Sequence, residues 1–114
     1  MDFNKLSDKK ILDIATPLMD NLMEGSSEGD YEKLSRDFTD RLKSVVTKDN
    51  FEKQMAKNTL GDFAKREFLS IIHKKDSIFV LWKQWFTESN DEFLAEIIII
   101  HKDGKFLIDH DWFR

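Results

Sequence analysis

The 114-residue chain contains no cysteine. That excludes disulfides, thiolate zinc sites and a cysteine nucleophile together. It has one proline and four glycines, and so few glycines cannot build a phosphate-cradling loop. No apolar run approaches the ~20 residues needed to cross a bilayer; the run Ile97–Ile100 stops at four. Neither sign of charge dominates. Eighteen Lys and Arg against 22 Asp and Glu leave a net −4. The split is even: ten basic against twelve acidic through residue 57, eight against ten beyond it. Without a basic arm or stripe, nucleic acid is not an expected partner. The start, Met1-Asp2-Phe3-Asn4-Lys5-Leu6, lacks a basic stretch followed by an apolar one. No signal peptide is read there, and a cytoplasmic location follows, an export signal removed ahead of Met1 being left open.

What is present divides in two within a single domain, residues 1–114: helices over about 7–61, then a sheet over about 65–113. Ile11, Ile14, Ala15, Leu18, Met19, Leu22 and Met23 recur at helical spacing and form one apolar stripe. Ser7 is the expected N-cap and Gly25 the expected end, with Pro17 kinking the helix near Asp13. Gly25-Ser26-Ser27-Glu28-Gly29 reads as a loop. Asp30 caps a second helix with the stripe Tyr31, Leu34, Phe38, Leu42, Val45 and Val46, and a third runs from about Lys48 through Phe51 and Met55 to a close at Gly61. The mixed-charge polar face of the first helix makes it a core helix and not a membrane-surface one.

From about Lys65 the composition changes. Seven of ten Phe and all three Trp lie in residues 63–114. Four β-rich runs follow: Arg66–His73, Ile78–Phe86, Glu92–Lys102 and Lys105–Phe113. Asp103-Gly104 between two of them predicts a two-residue type I′ hairpin. That turn pairs His101 with Phe106, Ile99 with Ile108, Ile97 with His110 and Ala95 with Trp112. A loop at Glu88–Asp91 pairs Trp82 with Ile97, and one at Lys75-Asp76 pairs Ile71 with Val80 and Leu69 with Trp82.

One face so assembled turns polar toward one end. There Trp82, Gln84, Ala95, Ile97, His110 and Trp112 form the expected ligand pocket, with Glu67 beside it. Apolar walls and a few convergent polar groups are the usual make-up of a small-molecule site. His110 and Glu67 are the candidate acid–base pair, provided sheet curvature brings them within reach. His73 and His101 lie roughly 10 Å apart in this register, too far to share a metal, so no metal or cofactor is expected. The opposite face gathers Phe79, Leu81, Trp85, Ile98, Ile100 and Leu107, where a sheet with one solvated side should be polar. That face is the expected homodimer interface.

This order of helices and meander, with Asp30-Tyr31-Glu32-Lys33 after a loop, then Phe38, Leu42 and Phe51, and strands closing on Asp111-Trp112-Phe113, resembles the nuclear transport factor two-like superfamily. It is closest to small bacterial members of unknown function. The resemblance implies a cystatin-like, cone-shaped α+β fold with helices packed on a curved four-stranded antiparallel sheet. Its members include steroid isomerases, dehydratases, epoxide hydrolases and polyketide cyclases as well as non-catalytic binders, so it implies no particular reaction. Tyr31, the only tyrosine, falls on a core stripe and does not match an isomerase oxyanion site. The resulting expectation is a non-catalytic domain binding a small apolar or amphipathic ligand or a protein partner as a homodimer. Its rivals are a cofactor-free isomerase, dehydratase or cyclase, and a purely protein-binding module.

Overall fold

In the computed structural model, which describes residues 1–114, Ser7 starts the first helix by accepting the N–H of Lys10 at 3.2 Å. Helix α1 spans Asp8–Glu28 and carries Pro17 inside it. Its buried stripe is Ile11, Ala15, Met19, Leu22 and Met23, while Ile14 and Leu18 lie at its margin. The helix does not end at Gly25. It continues a turn further to Gly29, whose φ of 70° and N–H bonds to the carbonyls of Gly25 and Ser26 close it. Gly25 serves a different need: a Cβ there would lie 2.4 Å from the backbone nitrogen of Leu34, so its absence lets the next helix approach.

Asp30 caps that helix as anticipated, but α2 is a single turn, Tyr31–Leu34. The chain then leaves helical geometry to reach the sheet. Phe38 bridges to Ile108, Ile108 donates to the carbonyl of Asp37 at 2.7 Å, and Thr39 donates to that of Ile108 at 2.9 Å. These bonds satisfy edge groups of the last strand that a continuous helix would leave open. Helix α3, Asp40–Val45, restarts at the Thr39 cap, and α4 spans Lys48–Ala56. The single helix expected from Tyr31 to Val46 is therefore two, although Leu34, Phe38 and Leu42 still all reach the core.

Strands β1 (Phe63–His73), β2 (Ser77–Phe86), β3 (Phe93–Lys102) and β4 (Lys105–Phe113) form one antiparallel sheet in sequence order. The Asp103-Gly104 turn has φ of 52° and 76°, the type I′ signature, and pairs His101 with Phe106 and Ile99 with Ile108 as anticipated. Between β2 and β3 the register differs by two residues: Trp82 faces Ala95, not Ile97. The connection is longer than four residues because Thr87 and Glu88 donate to Asp62 and Leu60 before the chain turns back. A two-residue slip keeps every side chain on its face.

Bulges change the faces. In β1 the shifts fall at Ala64 and Leu69, so Arg66, not Glu67, is opposite Gln84. In β4 the shift falls at Asp109, so Ile98 faces His110 and Ile97 faces Asp111. Beyond each bulge, inner and outer residues exchange. The core between helices and sheet holds 17 apolar residues, from Phe3 and Ile11 through Ile97 and Ile108.

Candidate functional site

The bulge in β4 decides which polar group enters the cone. Asp109 is the extra residue, and α3 holds it: Thr39 Oγ1 donates to its carboxylate at 2.8 Å, Arg41 Nε donates to the same oxygen at 3.0 Å, and Arg41 Nη2 donates to its backbone carbonyl. With Asp109 taken up in the bulge, Asp111 lies opposite the fully buried Ile97 and turns inward.

It enters a cavity of about 300 Å³ between α1, α4 and the end of β4. Leu22, Leu34 and Phe51, all buried, supply apolar wall. Gln54 and Trp112, both exposed, stand at its mouth. A second chamber of about 180 Å³ shares Ser26, Gln54, Met55 and Phe113 with it and extends to Met23, Phe63 and Phe86. Phe86 and Phe113 meet edge to face there, 6.5 Å apart.

Asp111 is the only titratable side chain on either wall. Burial pushes its carboxyl above the ordinary 3.8, against smaller opposing pulls from His110 and its own backbone N–H. A carboxyl in such a site can accept from a ligand donor when ionised, or donate to a ligand acceptor when protonated. No three His, Asp or Glu side chains converge as metal ligands.

The residues anticipated for the pocket separate into two groups. Trp82, Gln84, Ala95 and Ile97 do face the helices and are buried, but they are packed solid and line neither chamber. His110 and Trp112 are turned to the outer face by the bulge, where their rings meet edge to face at 6.0 Å. Trp112 nevertheless reaches the cavity mouth, 45% exposed, with the Arg114 guanidinium 3.6 Å from its ring centroid. Glu67 lies opposite Lys83 on the outer face of β1, three strands from β4. The structure does not bring Glu67 and His110 together. His73 contacts Asp8 at 2.9 Å, and His101 stacks at a tilt on Phe106, each away from the cavity.

Arg66 takes the inward place expected of Glu67. Its guanidinium reaches Asp20 on α1 and lies 4.5 Å from the Phe63 ring centroid, beside a Gln84 whose amide contacts the Met23 sulfur at 3.5 Å. Phe79, Leu81, Trp85, Ile98, Ile100 and Leu107 do share the outer face and are half-exposed there.

Asp111 had one sequence signal. Asp109-His110-Asp111 puts three polar residues in a row inside a strand whose other side chains, after Lys105, are apolar. Strict alternation forbids burying a face through such a run, and a bulge resolves it.

The chain matches no protein-family model and no curated protein. Its fold is similar to that of an NTF2-like protein of unknown function from Pseudomonas putida KT2440, with a TM-score of 0.64 at 11% identity. The likeness covers 93% of this chain and 87% of that one. At that identity the shared property is the fold: helices packed on a four-stranded antiparallel sheet.

Proposed function

We propose that this chain is a non-catalytic binding domain whose cone takes a small apolar or amphipathic molecule. The observation that carries the reading is Asp111, a carboxyl turned into a cavity whose other wall groups are apolar or neutral. Burying a carboxyl costs stability unless something compensates for the lost water. A site that keeps one in an apolar wall is suited to orienting a ligand by one polar contact while the hydrocarbon surface supplies affinity. The catalytic alternative loses its named pair, since Glu67 and His110 do not converge. Asp111 is the only titratable group of the wall; His110, which pulls on its carboxyl, belongs to the outer face and does not line the cavity.

Hexanol, neutral and small enough for the cavity, is the probe. In an NMR titration its binding should shift the signals of Leu22, Met55 and Phe113, and Met55→Trp, which fills the space, should abolish those shifts. Saturating hexanol without any shift at these residues would end the reading.

The same proposal includes a homodimer through the outer face of the sheet. Phe79, Leu81, Trp85, Ile98, Ile100 and Leu107 are half-exposed together, and α3 reaches only the Ile100 and Leu107 edge of this face, through Asp40 and Arg41. Apolar side chains gathered on one sheet face mark an interaction surface when they form a patch of about several hundred Å². A second copy would bury roughly 800 Å² per chain. Sedimentation at micromolar concentration should give twice 13.5 kDa, and Trp85→Glu or Ile98→Glu should return a monomer. A native monomer of 13.5 kDa would exclude the dimer without touching the cavity.

A further inference from the structure

We propose that the cavity selects cations: its ligand is an apolar amine whose ammonium meets Asp111 and whose hydrocarbon part lies along Phe51, Met55 and Phe113. The inference rests on the ligand-binding reading above and narrows it to one chemical class.

Charge on the wall is one-sided. The two chambers together present a single ionisable side chain, and it is a carboxyl. No Lys, Arg or His lines either space. An anion entering would lose its hydration, meet no cation and face Asp111, which is costly on every count. An ammonium would exchange its water for a charge-assisted bond, about twice as strong as a neutral one.

The surroundings of Asp111 leave it available for that bond. No side chain donates to its carboxyl, in contrast to Asp109 two residues earlier, which already receives Thr39 and Arg41. The largely buried cation Arg66 pairs elsewhere through one nitrogen, its Nε and Nη2 finding no partner. It is paired with Asp20 and lies on β1, three strands from β4, a separation of roughly 14 Å along a flat sheet. Arg114 is near the mouth, but it is exposed, rests on Trp112 and lines neither chamber.

Aromatic residues add to the preference. Phe51, Trp112 and Phe113 all line the chamber that holds Asp111. Aromatic faces attract cations; that of Trp112 already holds the Arg114 guanidinium, which leaves Phe51 and Phe113 for a ligand. The net charge of −4 raises the local concentration of cationic ligands further. From Asp111 the shared wall of Met55 and Phe113 leads to the second chamber, where Met23, Phe63 and Phe86 can take an alkyl or aryl tail.

Three probes of one carbon skeleton decide the matter: hexylammonium, hexanol and hexanoate, titrated at neutral pH with NMR detection at Leu22, Met55 and Phe113. The expected order of affinity is hexylammonium, then hexanol, then hexanoate. Asp111→Asn should weaken hexylammonium about tenfold and hexanol far less, with an unchanged far-ultraviolet circular dichroism spectrum showing that the variant is folded. Hexanoate or hexanol binding as tightly as hexylammonium would overturn the cation preference while leaving the cavity reading intact. So would an Asp111→Asn variant that keeps full hexylammonium affinity. If none of the three shifts the cavity residues, the cavity reading falls and this inference with it.

Discussion

Arg41 on α3 grips Asp109, the bulged residue of β4, through both its backbone carbonyl and its carboxylate. The contact crosses from the helical layer to the sheet at the point where the sheet register changes. Two residues later the consequence appears, as Asp111 points into the cone and His110 out of it. Helix α3 therefore acts on the candidate site without lining its cavity.

The buried member of that contact should matter most to stability. Thr39 caps α3 by accepting the N–H of Leu42 at 3.1 Å and donates to Asp109 at 2.8 Å. Thr39→Val keeps the shape and removes both bonds, and should cost about 1–2 kcal/mol in urea unfolding. Arg41→Ala removes an ion pair whose arginine is mostly solvated, and should cost about 0.5 kcal/mol. Equal losses in the two variants would mean that the exposed pair, not the cap, holds the bulge.

Two glycines near the end of α1 should respond differently to alanine. At Gly25 the added Cβ meets the Leu34 backbone at 2.4 Å, so Gly25→Ala should destabilise by about 2 kcal/mol or more despite its better helix propensity. At Gly29 nothing lies within 4 Å, but φ is 70°, and Gly29→Ala should cost about 1 kcal/mol. Thermal midpoints of the two variants check the order. The reverse order would mean that α2 does not approach α1 as closely as described.

The hairpin offers a purely conformational test. Gly104 has a φ of 76° and open space around it. Gly104→Val should lower stability by about 1–2 kcal/mol, because a β-branched residue resists that φ even without a clash. Gly104→Asn, a residue that tolerates the left-handed region, should recover most of the loss. Equal midpoints for valine and asparagine would contradict the type I′ turn.

Asp111 links stability to pH. Its folded-state pKa lies above the ordinary 3.8 because burial disfavours the charged form. The folded protein thus holds this proton to higher pH than the unfolded chain does. The group's contribution is full below 3.8 and is lost as pH rises through the raised value. Asp111→Asn removes that titration, so the variant should gain on the wild type as pH rises. Urea midpoints at about pH 4 and about pH 7 measure the difference. A wild type that gains on the variant instead would place the carboxyl in a stabilising charged contact.

Much of the architecture was legible from local chemistry. Ser7 and Asp30 act as caps through bonds made within their own turns. Asp103-Gly104 sets its hairpin because only a few residues accept two successive positive φ values. The alternation of Ile78, Val80, Trp82 and Gln84 inward against Phe79, Leu81, Lys83 and Trp85 outward follows from the two-residue period of a strand. What lay beyond the sequence pattern depends on partners distant in the chain. The Asp109 bulge is held by Thr39 and Arg41, some 70 residues earlier, and no local pattern announces that grip. Gly25 reads like a helix end, and only the arrival of Leu34 makes it a packing site. A strand's period is local, so its faces can be read from sequence as far as the first bulge. Past that point a single extra residue exchanges inside for outside. The polar run Asp109-His110-Asp111 calls for a bulge, but the contacts of Thr39 and Arg41 with Asp109 determined that Asp111, and not His110, faces the cavity.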